Sequence, residues 1–389
     1  MKLFVEGRKE VFEKLENNIG PTDKIIWFHA ASLGEFEQAV PVIEIIRQEF
    51  PEHRILVTFF SPSGYENKKN HPLAEIITYL PLDTKKNACR FLDLAKPELA
   101  FFVKYEIWPN FLAELKNRQI RSFLISGGFR KDQIFFKSYG GWMRKALETF
   151  EYFFVQNKES QDLLNSIGFN NVKISGDTRF DRVSRQIEYD NHLEFVNEFL
   201  QKETCIVAGS TWPEDDALLV PFINSTSEKA KFIIAPHEIK PEKVKALQAK
   251  IDKNSVLFSE KEGKDLSGYD VLILDTIGLL SKVYSYADIA YVGGAAGKTG
   301  LHNILEPATF GIPIIIGENF DKFPEAKQLQ KLAGLFSVAS AAELTEILNK
   351  LLENEEFRKK SGMIAGHFIN SNTGATRMIS NYLLKNRES

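Results

Sequence analysis

The stretch "WFHAASLGEFEQAVPVIEII", residues 27–46, joins a strand pattern to a helix pattern. The apolar run that ends at Phe28 predicts a buried strand, and a helical pattern begins near Phe36. The turn between them consists of small residues and carries one carboxylate, Glu35. Doubly wound α/β folds bind their ligands beyond the carboxyl ends of their strands. We therefore expect an α/β domain that holds Glu35 at a ligand-binding edge.

The same alternation of strand and helix patterns continues along the chain. Many of the strand patterns are continuous apolar runs, which are typical of parallel strands covered on both faces. The chain is thus predicted to form two doubly wound α/β domains in tandem. The predicted strands are 24–29, 54–60, 76–80, 98–103, 121–125, 152–155, 172–175, 204–209, 231–235, 254–258, 270–274, 288–292 and 312–316.

The boundary between the domains is predicted within residues 174–195. An apolar strand gives way there to a polar, charged helix, and "TCIVAGSTW" then starts a new strand and turn. We expect an N-terminal domain over residues 1–178, a C-terminal domain over 179–370 and a last helix over 371–389 that packs back on the first domain.

Composition excludes several classes of protein. The net charge of -3 argues against a general nucleic-acid binder. Cys89 and Cys205 lie far apart, which suits a reducing compartment and excludes a disulfide framework or a cysteine-rich metal site. No apolar run is long enough for a membrane span. Residues 1–20 are amphipathic and basic, and form either a solvent-facing first helix or part of a membrane-proximal segment.

Two carboxylates follow predicted strands of the first domain. Glu35 either complements the dipole of the following helix, for roughly 0.3–1 kcal/mol, or acts as a general base at the mouth of a cleft. In "KYEIWPNFL", residues 104–112, Glu106 also follows a strand. It is either a capping acid beside a packed Trp108 or a second carboxylate of the same cleft.

Basic and aromatic residues are interleaved in residues 127–147. Some of the aromatic residues are explained by core packing, but the combination also suits an anionic membrane interface or a phosphorylated lipid. Single-stranded nucleic acid is bound by the same chemistry. The residues that we expect at such a surface are Arg130, Lys131, Lys137, Phe135, Phe136 and Trp142.

The second domain has a polar turn and a Gly-rich turn. Ser210 and Thr211 stand between a strand and a helix, where they either hold a phosphate or cap the helix ahead of two Asp residues. Residues 291–317 begin with a strand and a loop rich in glycine, which suits phosphate binding at a mobile loop. A short helix follows, and its Glu306 is suited to grip ribose hydroxyls.

Three common kinds of site are not predicted. The His residues are scattered without H-x-x-x-H spacing, and there is no D-x-D pair, so we expect no metal site. The G-x-x-x-x-G-K-[ST] loop of P-loop NTPases and the G-x-G-x-x-G fingerprint of nicotinamide enzymes are also missing. No cofactor is therefore expected.

From about residue 6 to about residue 370, motifs in matching order closely resemble those of the 3-deoxy-D-manno-octulosonic acid (Kdo) transferases of Gram-negative bacteria. They are "HAASLGE" (29–35), "YEIWPN" (105–110), "GDTRFD" (176–181), "GSTW" (209–212), "DTIGLL" (275–280), "YSYADIAYVGG" (284–294) and "HNILEPATFGIPIIIG" (302–317) followed by "NF". The resemblance implies the GT-B architecture, with two doubly wound Rossmann-like domains facing a central cleft.

The resemblance also implies a reaction and a location. Kdo would move from CMP-Kdo to the lipid A precursor, lipid IVA, with inversion, in lipopolysaccharide biosynthesis. The N-terminal domain would bind the acceptor and the C-terminal domain the CMP-Kdo donor. The enzyme would act at the membrane surface on the cytoplasmic face of the inner membrane, and no nucleic-acid partner is expected. The usual N-terminal anchor of the family has no counterpart in this sequence.

The site residues follow from the matching motifs and from the turns described above. Glu35 corresponds to the proposed catalytic base of the family. The residues expected at the acceptor are Ser32, Gly34, Glu106, Arg130 and Lys131. The residues expected at the donor are Ser210, Thr211, His237, Asp275, Thr276, Gly293, Gly294, Asn303 and Glu306. Around His237 this chain has "APHEIKP" where many relatives carry "PRH".

Two other interpretations stay open. One is a GT-B transferase that uses a UDP-sugar and a different acceptor. The other is a non-catalytic sugar- or lipid-binding protein that has kept the fold, although such a protein has no need of a positioned base such as Glu35.

Overall fold

A computed structural model of the protein describes residue 4 and residues 6–386. The chain forms two compact units, the first made of residues 1–182 and 372–389 and the second of residues 183–371. Parts of the expected first helix (residues 1–3 and 5) and the end of the expected last helix (387–389) lie outside the described residues.

The first unit is a parallel α/β unit. Its strands are β1 (Lys24–Ala30), β2 (His53–Phe59), β3 (Ile76–Tyr79), β4 (Pro97–Val103), β5 (Arg121–Gly127), β6 (Phe150–Val155) and β7 (Val172–Ile174). Its helices within the described residues are α1 (Val11–Asn18), α2 (Leu33–Glu49), α3 (Pro62–Lys68), α4 (Lys85–Ala95), α5 (Pro109–Asn117), α6 (Gly141–Leu147), α7 (Lys158–Ser166), α8 (Thr178–Ser184), which runs into the second unit, and, after the chain returns, α17 (Ala375–Lys385).

The first sheet has the strand order β3-β2-β1-β4-β5-β6-β7. Its strands are parallel, and Phe28 of β1 stands beside Val57 of β2 and Phe101 of β4. Successive side chains of a strand point to opposite faces, so Trp27 and Phe28 join separate cores on the two sides of the sheet. Two covered faces are the physical reason for the continuous apolar runs in the sequence.

The second unit repeats this plan. Its strands are β8 (Thr204–Thr211), β9 (Ala230–Pro236), β10 (Ser255–Leu257), β11 (Val271–Ile273), β12 (Ile289–Val292), β13 (Ile314–Gly317) and β14 (Leu335–Val338), in the order β10-β11-β9-β8-β12-β13-β14. Its helices are α9 (Glu194–Leu200), α10 (Pro213–Ser225), α11 (Pro241–Gln248), α12 (Leu280–Val283), α13 (Leu305–Thr309), α14 (Pro324–Lys331), α15 (Ala341–Glu353) and α16 (Glu355–Ser371).

Every strand predicted from the sequence is present, but one observed strand was missed. The missed strand is β14, which pairs with β13 alone at the edge of the second sheet. Only its first and last residues, Leu335 and Val338, are buried. An edge strand of this kind lacks the long apolar run by which the central strands were recognised.

Each sheet has one point at which the strand order reverses direction. In the first sheet it lies between β1 and β4, and in the second between β8 and β12. Such a point opens a crevice beyond the carboxyl ends of the two strands, and ligands of doubly wound folds bind there. Glu35 and Glu106 follow β1 and β4, while Ser210 is the last residue but one of β8 and Gly293 follows β12.

The last helix, α17, packs on the first unit. Ile379 and Leu383 of this helix are buried in the core that covers one face of the first sheet. Asp181 stabilises the N-terminus of this helix. The carboxylate of Asp181 accepts the N–H of Gly374 at 2.6 Å and that of Thr376 at 2.8 Å. No helix within residues 4 and 6–386 is both long and apolar enough to cross a membrane.

Candidate active site

Glu35 lies in the first turn of α2, just after Ser32, the N-cap residue of that helix. The side chain bends back over the turn, where its Oε2 accepts the N–H of Ala31 at 2.6 Å. The residue is only 6% exposed. The carboxyl group is therefore held in one place and largely shielded from water.

The environment changes the acidity of this carboxyl group. Burial and, second, the nearby charge of Glu106 raise the pKa of Glu35 to about 7. The N–H groups of Ala31 and Ser32 and the ammonium group of Lys104 act in the opposite direction. A carboxyl group with a pKa near 7 can accept a proton at neutral pH and return it with little cost. A helix-capping Glu in water would have no such property.

Space is open beside Glu35. A Cβ atom added to Gly34 would meet no other atom within 4 Å, so packing does not require a glycine there. Ser32 is half-buried and makes no capping hydrogen bond with its side chain. The turn between β1 and α2 thus leaves room for a ligand next to the carboxyl group.

Glu106 belongs to a hydrogen-bonded group at the ends of β1 and β4. The indole N–H of Trp108 is shared between Nε2 of His29, at 2.9 Å, and Oε2 of Glu106, at 3.0 Å. Trp108 stands directly before α5, with Pro109 as the first helical residue, as the sequence predicts. The capping interpretation of Glu106 included a packed Trp108, but neither interpretation anticipated that this Trp would position the carboxylate.

The group continues into the sheet through a buried threonine. Oγ1 of Thr58 lies 2.9 Å from Nδ1 of His29 and accepts the indole N–H of Trp27 at 2.8 Å. Because the indole of Trp108 can only donate, Nε2 of His29 is the acceptor and Nδ1 carries the hydrogen toward Thr58. No role was predicted for His29 or Thr58, since both lie within strands and are fully buried.

Backbone strain marks the carboxyl ends of central strands in both units. Lys104, after β4, has φ 61°, Ser126, in β5, has φ 51°, and Ser210, in β8, has φ 55°. Residues other than glycine rarely adopt this left-handed conformation, and it clusters at functional sites. Lys104 was missed by the sequence analysis, although a lysine directly after an apolar strand is a usable signal.

The basic and aromatic stretch of the first unit is only partly at the surface. Phe135 is buried in the core, and Phe136 is half-buried against Phe129, so the expectation that Phe135 faces a membrane is wrong. Tyr139 and Trp142, by contrast, are 71% and 58% exposed. The surface that remains includes these two aromatic residues with Arg130, Lys131 and Lys145, and also Asp132, which lies 3.7 Å from the guanidinium of Arg130.

In the second unit, Asp215 organises the turn after β8. The N-cap residue of α10 is Trp212, so the alternative in which Ser210 or Thr211 caps this helix is wrong. Asp215 accepts the N–H of Trp212 at 2.9 Å and that of Gly294 at 2.8 Å. This buried carboxylate therefore joins the helix to the Gly-rich loop.

The first half of the Gly-rich loop packs tightly on the end of β8. A Cβ atom on Gly293 would lie 2.3 Å from the carbonyl oxygen of Ser210, and one on Gly294 would lie 2.1 Å from that of Gly300. Gly294 also has φ 96°. These two glycines are required by close backbone approach, and this half of the loop is anchored, contrary to the mobile loop that we expected.

Three rings stack beside this loop. The ring of His237 lies 4.5 Å from that of Trp212 and 4.5 Å from that of His302, centroid to centroid. Trp212 donates its indole N–H to Nε2 of His302 at 3.2 Å. Burial, helped by His237, lowers the pKa of His302 to about 4. His302 therefore stays neutral as an acceptor, while His237 is the exposed member of the stack.

Asn303 and Glu306 form a pair at the start of α13. The side-chain amide of Asn303 donates to Oε1 of Glu306 at 3.1 Å, and the hydroxyl of Ser281 donates to Oε2 at 2.9 Å. Each carboxylate oxygen has a second lone pair, so Glu306 can still accept hydrogen bonds from a ligand. The pair brings together two residues that the sequence analysis placed at the donor.

Asp275 and Thr276 follow β11, farther from the point where the strand order of the second sheet reverses. Both oxygens of Asp275 accept hydrogen bonds from Ser259, one from its N–H and one from its hydroxyl. These contacts close a turn. Within the described part of the chain, no group of three or more His, Cys, Asp or Glu side chains is arranged to hold a metal ion.

Comparisons with known proteins agree with this architecture. The Neisseria meningitidis UDP-GlcNAc 2-epimerase superimposes with a TM-score of 0.66 at 16% sequence identity, over 93% of this chain and 100% of its own. At that identity the likeness concerns the fold alone. Two doubly wound units of this kind define the GT-B class, to which the fold of the chain belongs.

Sequence comparison finds similarity to one family of glycosyltransferases. Residues 6–182 match the family described as 3-deoxy-D-manno-octulosonic-acid transferase (kdotransferase). The 3-deoxy-D-manno-octulosonic acid transferase of Chlamydophila psittaci is 27% identical over 92% of this chain and 85% of its own length. That of Aquifex aeolicus is 29% identical over 88% and 91%. The chain is therefore similar to the Kdo transferases, which are glycosyltransferases, along most of its length.

Proposed function

We propose that the protein transfers a Kdo residue from CMP-Kdo to a hydroxyl group of lipid IVA, with inversion at the anomeric carbon. The observation that carries this proposal is the carboxyl group of Glu35 in a chain that is similar to the Kdo transferases. It is buried, has a pKa of about 7, and stands where the strand order of its sheet reverses. A general base for a sugar hydroxyl needs these properties.

Glu35 is the base in the proposed mechanism. It accepts the proton of the acceptor hydroxyl while the oxygen of that hydroxyl bonds to the anomeric carbon of Kdo. The bond from this carbon to the phosphate oxygen breaks on the opposite face of the sugar, and the electron pair leaves with CMP. The leaving phosphate is a stable anion, so the mechanism needs no acid and, in the absence of a D-x-D pair, no metal ion.

The donor would bind to the second unit. Glu306, held by Asn303 and Ser281, keeps free lone pairs for the ribose hydroxyls. The exposed ring of His237, which is stacked on Trp212, offers a flat surface to the cytosine base. Such a surface suits a flat aromatic ring, because offset stacking is favourable.

The acceptor would bind to the first unit, at the cytoplasmic face of the inner membrane. Its phosphates would meet Arg130 and Lys131, both exposed. Tyr139 and Trp142 would rest at the bilayer interface, where amphipathic aromatic rings are favoured. Ser32, Gly34 and Glu106 would surround the reacting hydroxyl.

Mass spectrometry of the product formed from CMP-Kdo and lipid IVA tests the proposal. We expect the mass of lipid IVA plus Kdo, and no transfer from UDP-sugars in the same assay. Glu35→Gln should lower turnover by roughly 100-fold or more, the scale of a lost general base, and leave CMP affinity in calorimetry unchanged. Glu49→Gln, at the other end of α2, is the matched control.

Two outcomes would contradict the proposal. Transfer from a UDP-sugar but not from CMP-Kdo overturns the donor assignment. Turnover of Glu35→Gln close to that of the unaltered enzyme overturns the role of Glu35 as base and supports a helix-capping role.

A further inference from the structure

The Gly-rich loop after β12 has two halves with different hydrogen bonding. In the first half, Asp215 accepts the N–H of Gly294 at 2.8 Å and that of Ala296 at 3.4 Å. In the second half, none of the backbone N–H groups of residues 297–300 donates to a protein acceptor within the described part of the chain. Successive free N–H groups in a loop favour the binding of an anion.

A pocket of about 300 Å³ adjoins this second half. It lies between the loop after β12 and the loop after β13, at the carboxyl edge of the second sheet. Its volume is at the lower end for small-molecule sites, so it suits one sugar better than a whole nucleotide sugar. The lining residues are Gly297, Lys298, Gly300, Asn319, Lys322 and Phe323, together with Asp321.

The charge of the pocket is positive. Within the described residues, neither Lys298 nor Lys322 forms an ion pair with a carboxylate. The carboxylate of Asp321 is engaged by Lys327 at 2.7 Å. Glu214 packs against Gly297 and contributes one further negative charge. Among the lining side chains, two lysines stand against the single carboxylate of Asp321, so the lining attracts an anion.

The chemistry of an ulosonic acid supplies such an anion. The anomeric carbon of Kdo carries a carboxylate in addition to the bond to phosphate, so its CMP derivative presents two anionic groups on one carbon. A UDP-sugar of the glucose type has no carboxylate at this carbon. A site for the Kdo donor therefore needs a second anion-binding group next to the one for phosphate.

We propose that the pocket around Lys298 and Lys322 binds the carboxylate of the donor sugar, an inference that rests on the function proposed above. The two lysines attract the carboxylate, and the N–H groups of residues 297–300 donate to its oxygens. Phe323 provides an apolar wall for the sugar ring. The pocket is the part of the second unit that distinguishes an ulosonic-acid donor from a neutral nucleotide sugar.

Strand order supports a carboxylate over the phosphate as the occupant. The nucleotide is expected where the order reverses, between β8 and β12, near Glu306. The pocket lies on the other side of β12, toward β13. The carboxylate and the phosphate are bound to the same anomeric carbon. With the phosphate between β8 and β12, the carboxylate can therefore lie in the pocket on the other side of β12.

The test is the double variant Lys298→Gln with Lys322→Gln in the full chain. We expect its KM for CMP-Kdo to rise at least about tenfold, which is roughly 1.4 kcal/mol. Its Kd for CMP, which has no sugar carboxylate, should stay within about twofold of the original in calorimetry. Lys331→Gln, an exposed lysine at the end of α14, is the matched control and should change neither quantity.

Each other outcome overturns the inference in a distinguishable way. An equal loss of affinity for CMP and CMP-Kdo assigns the lysines to the phosphate. An unchanged KM for CMP-Kdo, in an enzyme that makes Kdo–lipid product, leaves the pocket without a role in donor binding. If the unaltered enzyme makes no such product and binds CMP-Kdo no better than CMP, the proposed function itself fails and the inference fails with it.

Discussion

Trp108 donates its indole N–H to Nε2 of His29 over 2.9 Å, and the same nitrogen lies 3.0 Å from Oε2 of Glu106. The shared hydrogen holds the carboxylate of Glu106 at the end of β4. From there its charge opposes ionisation of Glu35, which follows β1. The two strands flank the point where the order of the sheet reverses, so the fold itself places two carboxylates close together.

This relationship predicts the pH dependence of transfer. A general base must be unprotonated, so kcat/KM should rise with pH with an apparent pKa near 7, the value to which burial and Glu106 raise the pKa of Glu35. Glu106→Gln removes one of these two causes. The acidic limb of the pH profile should therefore move to lower pH, whatever happens to the maximal rate.

A matched control for Glu106→Gln is Glu98→Gln, since Glu98 lies near the opposite end of the same strand, β4, and is exposed. Its profile should coincide with that of the unaltered enzyme. An acidic limb that stays in place in Glu106→Gln would show that Glu106 does not influence the base.

The raised pKa of Glu35 also predicts a stability effect. Between about pH 4.5 and pH 7 the folded chain holds the proton of this carboxyl group more tightly than the unfolded chain, so folding loses free energy as the pH rises through that window. Glu35→Gln removes this loss. At pH 8 the variant should be more stable by about 1–3 kcal/mol, and the difference should vanish below about pH 4.5.

Thermal unfolding of both proteins at pH 8 and pH 4.5 measures this difference. The result separates two roles of the residue, because a Glu that only complements the helix dipole predicts the opposite sign. In that case Glu35→Gln would lose roughly 0.3–1 kcal/mol at pH 8. A stabilised but inactive variant is the outcome expected for a functional group that the fold holds at a cost.

The fold could be predicted from the sequence because its pattern is strong. Parallel strands such as β1 are covered on both faces, so each leaves a continuous apolar run between helical patterns. β14 was missed because it pairs on one side only and has two half-buried residues at its centre. An apolar sequence pattern reports burial, and β1 and β14 differ in burial.

A site residue could be predicted only where its own short stretch of sequence is unusual. Glu35 interrupts a turn of small residues, and Glu106 interrupts a motif with Trp and Pro, so both were recognised. His29 and Thr58 were not, because a buried polar residue inside a strand resembles any other core position. Their connection to Trp108 spans 79 residues of sequence and exists only after the sheet has formed.

Asp215 lies in the first turn of α10, as predicted, but its contacts with distant residues were not predicted, for the same reason. From the sequence it is one of two adjacent Asp residues in a first helical turn. In the structure its carboxylate also accepts the hydroxyl of Tyr291 at 2.8 Å and the N–H of Gly294, both far away in sequence. Asp216, the next residue, instead has its pKa raised to about 6 by burial.

These neighbours make a matched pair of variants. Asp215→Asn turns an amide group toward donors that need an acceptor, which should destabilise the protein by about 2–3 kcal/mol and lower Tm by roughly 5–10 °C. The KM for CMP-Kdo should rise as well, because the Gly-rich loop loses its anchor. Asp216→Asn replaces a charge that burial disfavours, so it should leave Tm unchanged or raise it.

Differential scanning calorimetry and donor kinetics on both variants give the comparison. If Asp215→Asn has the same Tm as Asp216→Asn, the hydrogen bonds to Trp212 and Gly294 do not hold the loop. If Asp215→Asn has a lower Tm but an unchanged KM for CMP-Kdo, the loop is a structural element of the second unit without contact to the donor.

The exposed aromatic and basic residues of the first unit predict how the enzyme would meet the proposed lipid acceptor. Trp142 and Tyr139 are largely exposed, and Arg130 and Lys131 stand on the same segment. Replacing Arg130 and Lys131 with Ser should weaken binding to anionic liposomes by roughly 10–30-fold, since each basic residue near such a surface contributes about 1 kcal/mol. The loss should shrink as salt is added.

The aromatic residues are tested separately, with Tyr139→Ser and Trp142→Ser combined. This variant should bind liposomes less tightly at every salt concentration, because burial of apolar surface is not screened by ions. Both variants should raise the KM for lipid IVA and leave that for CMP-Kdo unchanged, since the donor is assigned to the other unit. Replacement of Arg90 and Lys116, exposed basic residues on α4 and α5, is the control for net charge. Flotation and acceptor kinetics that match the unaltered enzyme in both variants would assign residues 127–147 to packing and solubility.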